Sequence, residues 1–475
     1  MPLALWSRSS RKSLPTNVQR VFSGYNGQDS FEIKDTFATD MQNVTSKNFP
    51  IASTRPGYSL SGAARAAKIL GLGVWKQTEL AVVANGEWFR NIAGSYTSLK
   101  SGLSTVANYS FSNFDGNLTE INLIGANGVD AVQRYNGTTV QNLANAPAAA
   151  NFIETYADRL WCVTAGNQLN FSEYRVADNW TTLAVDSSDP GFITIETNDG
   201  ENISAVKVGS QRLVIFKPNS MFDLFGTSSE DFTLIPKSGD VGAVSNQAVT
   251  TIGSSIYFVH STGVFVYNGG ARPEKDFSAP VQNLIDRINP AAITKCCAGT
   301  DGKMLYLGIP LDSATECDTI LEFNTQYGTW CIWKGFAPLN ITIMKDVAYI
   351  GGVDGTVRKV GGLTTDNGTA ISGYLISKPM TAGSLSQKLM LKRAWLTTTV
   401  PTGSTLNVGL SKSPSGNSDF TTVASVLAEN AVSSSSVIVP TTTVAFANWI
   451  RYKISFTGPV DVLEYATELE ELPIR

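Results

Sequence analysis

Few residues in this chain have the side chains that acid–base or metal chemistry requires, and those few are scattered. The sequence contains one histidine, His260, at the end of the apolar run SIYFVHS. The five cysteines form no CxxC pair and stand at Cys162, Cys296, Cys297, Cys317 and Cys331. A zinc site needs clustered nitrogen or sulfur ligands at short spacings. We therefore predict no metal site and a structural role for His260.

Motifs of nucleophilic and nucleotide chemistry are also missing from the sequence. The segment GTAISG (368–373) has the wrong spacing for a GxSxG nucleophile elbow, and no histidine follows it to complete a triad. No P-loop and no dinucleotide-binding glycine pattern occurs. We predict no catalytic residue, no cofactor-binding residue, no cofactor and no small-molecule substrate, so that the protein is not an enzyme.

The composition indicates a protein with substantial cores and a surface poor in charge. With 475 residues the chain is long enough for two or three domains. Hydrophobic residues make up 43% of the chain and charged residues only 16%, which favours a surface that packs against other subunits. The net charge of −4 argues against a nucleic-acid binder. The odd number of cysteines indicates reduced, buried thiols and assembly in a cytoplasm.

Membrane-directing segments are not evident in the sequence. The N-terminal residues MPLALWSRSSRKSLP lack the continuous apolar core of a secretory signal. No run approaches the ~18 apolar residues that a membrane span needs. We therefore expect a soluble protein, made inside a cell, without stable membrane insertion.

Residues 1–65 are predicted to form an extended N-terminal arm. The charges before residue 29 are all basic: Arg8, Arg11, Lys12 and Arg20. They suit contact with DNA or with an acidic partner, or a tail that packs loosely on a neighbour. The stretch 22–58 then carries scattered apolar residues without a helical or strand period. We interpret it as a wrapping segment rather than a free-standing domain.

Between residues 66 and 363 the chain repeats short apolar strands and tight turns. Strands such as ELAVVA (79–84) and RLVIFK (212–217) alternate with turn pairs such as Asn85-Gly86. Asn-Gly is a strong hairpin signal because type I′ turns need positive φ at both central residues. The units recur every ~30–45 residues, the length of a four-stranded blade. This pattern predicts a β-propeller of six to seven blades, with a tandem of β-sandwiches as the alternative.

One helix is predicted to interrupt the strands. The segment SAPVQNLIDRI (278–288) places four apolar residues on one helical face, and Pro290 closes it. These apolar residues are Val281, Leu284, Ile285 and Ile288.

A second domain is predicted over residues 364–475, after a linker rich in Gly, Thr and Asn. Its strands are longer, and in WIRYKISF (449–456) polar and apolar residues alternate as in a one-sided antiparallel strand. We predict a C-terminal β-sandwich or jelly-roll-like domain, so that the whole fold is all-β. The acidic run EYATELEEL (464–472) is interpreted as a last strand with a solvated edge.

Propellers also house glycosidases, which use carboxylate pairs whose geometry a sequence does not show. The turn NTQYGTW (324–330) resembles the Gly-x-x-Trp part of the sialidase Asp-box but lacks its acidic position. We interpret it as a turn that leaves Trp330 and Trp333 packed between blades. A glycosidase remains one of the alternatives.

Three stretches in order resemble the tail hub, nozzle or stabilisation proteins of tailed bacteriophages. The first is ATDMQNVTSKNFPIASTRPGY (38–58), an Asn-bearing segment that ends in an Arg-Pro-Gly turn. The second is DRLWCVTAGNQLNFSEYRVADNW (158–180), with an Arg-Leu strand and a terminal Trp. The third is SGDVGAVSNQAVTTIGSSIYFVHSTGVFVYNGG (238–270), followed by the helical segment.

The resemblance implies a homo-oligomeric ring, six subunits in our expectation, below the portal and its connector (adaptor) proteins. Such a ring continues the DNA channel of the virion tail without sequence recognition and anchors tail fibre or tail tip proteins. It would be made and assembled in the host cytoplasm. Because the matching residues concern blade architecture, no site residue is implied. The alternative function is a carbohydrate- or receptor-binding propeller at the tail tip.

Overall fold

The computed structural model describes residues 16–196, 199–381, 387–427, 434–438 and 447–472. They form two compact units. One unit spans Arg55–Ile371, and the other combines the described parts of Met1–Thr54 and Ser372–Arg475. Strands dominate both units, which confirms the all-β prediction.

The unit Arg55–Ile371 is a β-propeller, and its described residues form seven small sheets, here blades 1 to 7, which are antiparallel except for one parallel pairing in blade 7. Blades 1 and 2 comprise Ile69–Trp75, Glu79–Ala84, Glu87–Ile92, Ser95–Lys100, and Ser110–Phe114, Asn122–Ala126, Gln133–Tyr135, Val140–Asn142. Blades 3 and 4 comprise Asn151–Tyr156, Arg159–Thr164, Gln168–Phe171, Gly191–Thr194, and Ala205–Gly209, Arg212–Phe216, Met221–Phe225, Thr233–Ser238. The predicted count of six to seven blades is confirmed.

The remaining blades vary the four-stranded plan. Blade 5 comprises Val249–Ile252, Ser255–His260, Gly263–Tyr267, and blade 6 comprises Cys297–Thr300, Met304–Ile309, Thr319–Asn324, Thr329–Lys334. Blade 7 comprises Pro338–Met344, Val347–Gly352, Val357–Val360, Tyr58–Leu60, extended by Thr365–Asp366 and Thr369–Ala370. The first strand of each blade contacts the first strand of the next, and blade 7 contacts blade 1. The ring of innermost strands is therefore closed.

A strand from before blade 1 in the sequence completes blade 7. Tyr58–Leu60 pairs antiparallel with Val357–Val360. The buried Arg55 guanidinium binds the Asp366 carboxylate with both branches, at 2.8 and 2.6 Å. This two-pronged ion pair holds the closing segment in place, because two parallel charge-assisted bonds fix both position and orientation.

The other unit is a sandwich of two mixed-origin sheets, which confirms the sandwich prediction. One sheet comprises Thr16–Gln19, Val44–Thr45, Ala52–Thr54, Lys388–Thr399, Ser434–Ile438 and Asp461–Leu472. The other comprises Ala38–Gln42, Ser372–Ser377, Met380–Thr381, Thr405–Ser411, Thr421–Leu427 and Trp449–Thr457. The rings of Tyr452 and Tyr465, one from each sheet, lie 3.9 Å apart between centroids. As the alternation predicted, Ile450, Ile454 and Phe456 are buried.

The predicted boundaries need correction. In place of an extended arm over residues 1–65, the described residues before Arg55 belong to the sandwich, and Tyr58–Leu60 belongs to the propeller. Ala38–Gln42 pairs with Ser372–Ser377, more than 300 residues away in sequence. The propeller therefore runs from 55 to 371 instead of 66 to 363. The strands before residue 61 have only two to five residues each. They are too short to show the period of a strand, so the sequence did not predict them. Arg8, Arg11 and Lys12 of the predicted basic arm lie in residues 1–15, outside the described part.

Two further expectations differ from the structure. The predicted helix 278–288 is a 3₁₀ segment, Asp276–Val281, followed by a single α-helical turn, Gln282–Ile285. Pro280 supplies no N–H, so regular α-helical bonds begin only after it. The acidic strand Asp461–Leu472 is not an edge, because it pairs with Lys388–Thr399 on one side and with N-terminal strands on the other. Other 3₁₀ segments are Asn246–Ala248 and Pro290–Lys295.

Candidate functional site

The central channel of the propeller contains a cavity with two charged side chains. Innermost strands of all seven blades line a cavity of about 310 Å³ there. Its charged side chains are Glu154 of blade 3 and Lys207 of blade 4. Their Oε1 and Nζ atoms lie 2.6 Å apart, and the Glu154 side chain is only 12% exposed. The acid and the base of the channel therefore neutralise each other across two blades.

Neutral polar groups of the channel wall are also used to join blades. The Asn113 side-chain amide of blade 2 donates to the Val74 carbonyl of blade 1 at 2.9 Å. The Asn340 amide of blade 7 donates to the Ile69 carbonyl of blade 1 at 2.6 Å. The wall thus holds its ring of strands together. Among the described residues no group of three or more His, Cys, Asp or Glu side chains is placed to hold a metal ion.

The structure buries His260 at the end of the second strand of blade 5. Its Nδ1 lies 2.8 Å from the Thr262 hydroxyl, and its ring meets Phe265 edge-on. Burial lowers the pKa of the imidazole, because the charged form loses water there. These contacts support the neutral ring as a packing element of blade 5.

The cysteines and Trp333 are packed as predicted, whereas Trp330 stacks on Phe277 and Phe323 instead of on another blade. All five cysteines are buried and free of disulfides. Burial raises the pKa of the Cys162 and Cys296 thiols, so neither is a ready nucleophile. Trp330 and Trp333 are also buried, and Trp333 packs in a cluster that joins blades 6 and 7.

A loop of blade 3, residues 172–190, has a different character and is called the blade 3 loop. The fully buried Arg159 guanidinium holds this loop by hydrogen bonds to its backbone carbonyls. Nη1 donates to the carbonyls of Ser172, Ser188 and Asp189, and Nη2 donates to the Ser187 carbonyl, all within 2.8–2.9 Å. Burial lowers the pKa of Arg159, although the nearby Glu173 counters this. An arginine stays charged even so, and it fixes four carbonyls at once.

This braced loop presents apolar side chains to solvent. Leu183 is 62% exposed and Val185 is 89% exposed. The Asp189 carboxylate accepts bonds from the backbone N–H of Ala184 at 2.6 Å and of Val185 at 2.9 Å. Val185 has φ of +66°, which is unfavourable for a β-branched residue. We call Leu183 and Val185 patch A. Strain held by a firm scaffold is typical of functional positions.

A second braced apolar pair, patch B, consists of Val106 and Val129. Val106 is 82% exposed and Val129 is 65% exposed. Val106 precedes blade 2, and Val129 lies in the turn between its second and third strands. The Asp130 carboxylate joins the two loops, because it accepts from the Ser104 N–H at 2.9 Å and from the Tyr109 hydroxyl at 2.6 Å.

Patches A and B lie on opposite faces of the propeller. In an antiparallel blade the connections between strands 1–2 and 3–4 emerge on one face, and the others emerge on the opposite face. The blade 3 loop joins strands 3 and 4, whereas both loops of patch B are connections of the other kind. The two patches therefore expose their apolar side chains on different faces.

Neither patch could be identified from the sequence. The stretch 158–180 includes Arg159, but nothing in a sequence marks an arginine as buried. Valines in Gly- and Ser-rich loops give no sign of their exposure. A usable signal was the run of apolar residues in TTLAV (181–185), which no strand period explains.

Comparison with known proteins gives a fold likeness at low identity. The chain is similar to BamB from Moraxella catarrhalis, with 12% identity, a TM-score of 0.41, and coverage of 63% of this chain and 97% of that one. It is similar to the WD40 β-propeller domain of Doa1, with 10% identity, a TM-score of 0.41, and coverage of 64% and 97%. YCF48 from Cyanidioschyzon merolae gives 10% identity, a TM-score of 0.42, and coverage of 64% and 98%.

No protein-family model and no curated protein sequence matches the chain. Within the described residues, no helix has the length and apolar character to cross a bilayer. The strand pairing and the closed ring of innermost strands define the propeller.

Proposed function

We propose that this protein is a structural component of a bacteriophage tail, a hub or nozzle subunit that forms a ring below the portal and connector. The observation that carries the proposal is the presence of patches A and B on opposite faces of one propeller. A closed ring of identical subunits needs two different surfaces that fit each other, because each contact joins the front of one copy to the back of the next.

Both patches have the properties of contact points between proteins. Each patch holds two large apolar side chains in solvent, and we infer that they form the centre of a contact between proteins, where exposed apolar groups commonly lie. Their backbones are already fixed, by Arg159 under patch A and by Asp130 under patch B. Contacts made by ordered loops lose less conformational entropy on binding.

The channel of each propeller is not the proposed path for DNA. The Glu154–Lys207 ion pair bridges its wall, and its volume of about 310 Å³ suits a few small groups only. In our proposal DNA passes along the axis of the ring, between subunits. The sequence resemblance to tail hub and nozzle proteins favours this arrangement, with six copies and with portal, fibre or tip proteins as neighbours.

The test is incorporation of variants into particles, followed by cryo-EM. We expect that Leu183→Asp and Val129→Asp each abolish incorporation, because each variant places a charge in one half of the same contact. Leu363→Asp is the matched control, since Leu363 is 42% exposed and belongs to neither patch. Density for the chain under the portal, lost in both patch variants and kept in the control, supports the proposal. Normal incorporation of either patch variant would contradict it.

A further inference from the structure

An open cavity beside the outer strand of blade 4 has no part in the proposed ring contacts. Its volume is about 550 Å³, which lies in the range of ligand pockets. Besides Ser238, which donates to Asp240, three lining side chains offer donor groups: Ser220, Lys237 and Arg272. We propose that it binds a small ligand that carries an oxyanion, either a carboxylate or a phosphate.

The acids of the cavity already have donors. The Asp240 carboxylate accepts from the Ser238 hydroxyl at 2.8 Å. The Asp199 carboxylate lies 3.4 Å from the Lys217 ammonium group. Each acid therefore has a donor within hydrogen-bond distance.

The cations of the cavity, in contrast, have capacity to spare. Arg272 is exposed and makes no hydrogen bond or ion pair with any described residue. Lys237 lies 3.7 Å from Asp223, a buried carboxylate that already has Arg212 at 2.9 Å. Arg212 and Lys237 therefore share one carboxylate, and with Arg272 set against Asp240 the groups around the cavity carry one positive charge in excess. A planar guanidinium suits the two oxygens of a carboxylate or phosphate.

A buried hydroxyl points to the same ligand class. Ser220 is only 5% exposed, lines the cavity, and its Oγ has no hydrogen-bond partner. A buried polar group without a partner is costly, and a ligand atom bound against this wall of the cavity would supply the acceptor that the Ser220 hydroxyl lacks. An oxyanion oxygen accepts from Ser220, Lys237 and Arg272 alike.

Calorimetric titration of the full chain at constant ionic strength tests the site. The three probes are inorganic phosphate, glucuronate and neutral glucose. We expect saturable binding with one site per chain for phosphate or glucuronate and none for glucose. The tighter of the two anions identifies the source of the oxyanion. Absence of saturable binding for both anions, or equal binding of glucose and glucuronate, would overturn the proposal.

Variants make the assignment specific. We expect Arg272→Gln to weaken anion binding about tenfold or more, since it removes a charge-assisted bond, and Ser220→Ala to weaken it less. Arg272 is exposed, so its replacement leaves folding intact. Lys303→Gln, an exposed cation on blade 6, is the matched control and is expected to bind as the unmodified chain does. Unchanged affinity in Arg272→Gln would overturn the site. The outcome is independent of ring formation, because the titration uses the isolated chain.

Discussion

The channel wall and the two apolar patches of the same propeller use their side chains in opposite ways. In the channel, Glu154 and Lys207 neutralise each other, and asparagine amides join neighbouring blades. In the patches, a buried arginine or a partly buried aspartate braces a loop whose apolar side chains remain in solvent. The polar groups of the channel wall therefore hold the ring of strands together, while those of the patches hold exposed apolar side chains in place.

The largest expected effect comes from removal of the brace under patch A. Arg159→Met removes one donor from each of four carbonyls, of which those of Ser187 and Ser188 keep another donor. Because a buried, four-fold bonded guanidinium is lost, we expect the free energy of unfolding to fall by more than about 3 kcal/mol. Denaturant unfolding measures this change. Arg134→Met is the control, because Arg134 makes one side-chain bond, to Gln141, on the blade surface. A loss under 1 kcal/mol for Arg159→Met would show that the blade 3 loop is not held by this residue.

A smaller loss of stability is expected when the ion pair of the channel wall is broken. Glu154→Gln removes the charge that Lys207 pairs with, and we expect a loss of about 1–2 kcal/mol in the free energy of unfolding. Incorporation into particles is expected to stay normal, since the channel makes no contact in the proposed ring. Incorporation lost in a stably folded Glu154→Gln variant would place function in the channel instead.

The smallest expected effect comes from relief of the backbone strain at Val185. Val185→Gly relieves the positive φ of this residue, and we expect the free energy of unfolding to rise by about 0.5–1 kcal/mol. The same change removes an apolar side chain of patch A, so incorporation is expected to fall while stability rises. Improved stability with full incorporation would mean that Val185 is not a contact residue.

Much of the propeller was predictable because local turn chemistry repeats. Asn85-Gly86 has φ of +51° and +73°, as the type I′ interpretation required. Other turns reach positive φ at both positions without any glycine: Lys76-Gln77, Ala157-Asp158, Ser210-Gln211 and Lys345-Asp346. Each joins the first and second strands of a blade, and tertiary packing imposes its geometry against residue preference.

Long-range pairing and exposure were not predictable. Tyr58–Leu60 has three residues and no period, and its partner Val357–Val360 lies some 300 residues further along the chain. A sequence pattern reports a buried face, but it does not report which loop valine is exposed or which arginine is enclosed. Patches A and B therefore required the structure, while the absence of familiar catalytic motifs was visible from the start.

The most direct test of the central claim is a cross-link from patch A in assembled particles. Thr182→Cys adds an accessible thiol beside patch A, with Leu183 and Val185 unchanged, to a chain whose five native cysteines are buried, and a benzophenone maleimide attached there reacts with its nearest neighbour on illumination. We predict a product between two copies of this chain, in which mass spectrometry places the link at residues 104–107 or 127–130. A label that stays unlinked, or one that links to a different protein, would contradict the ring contact proposed for patches A and B.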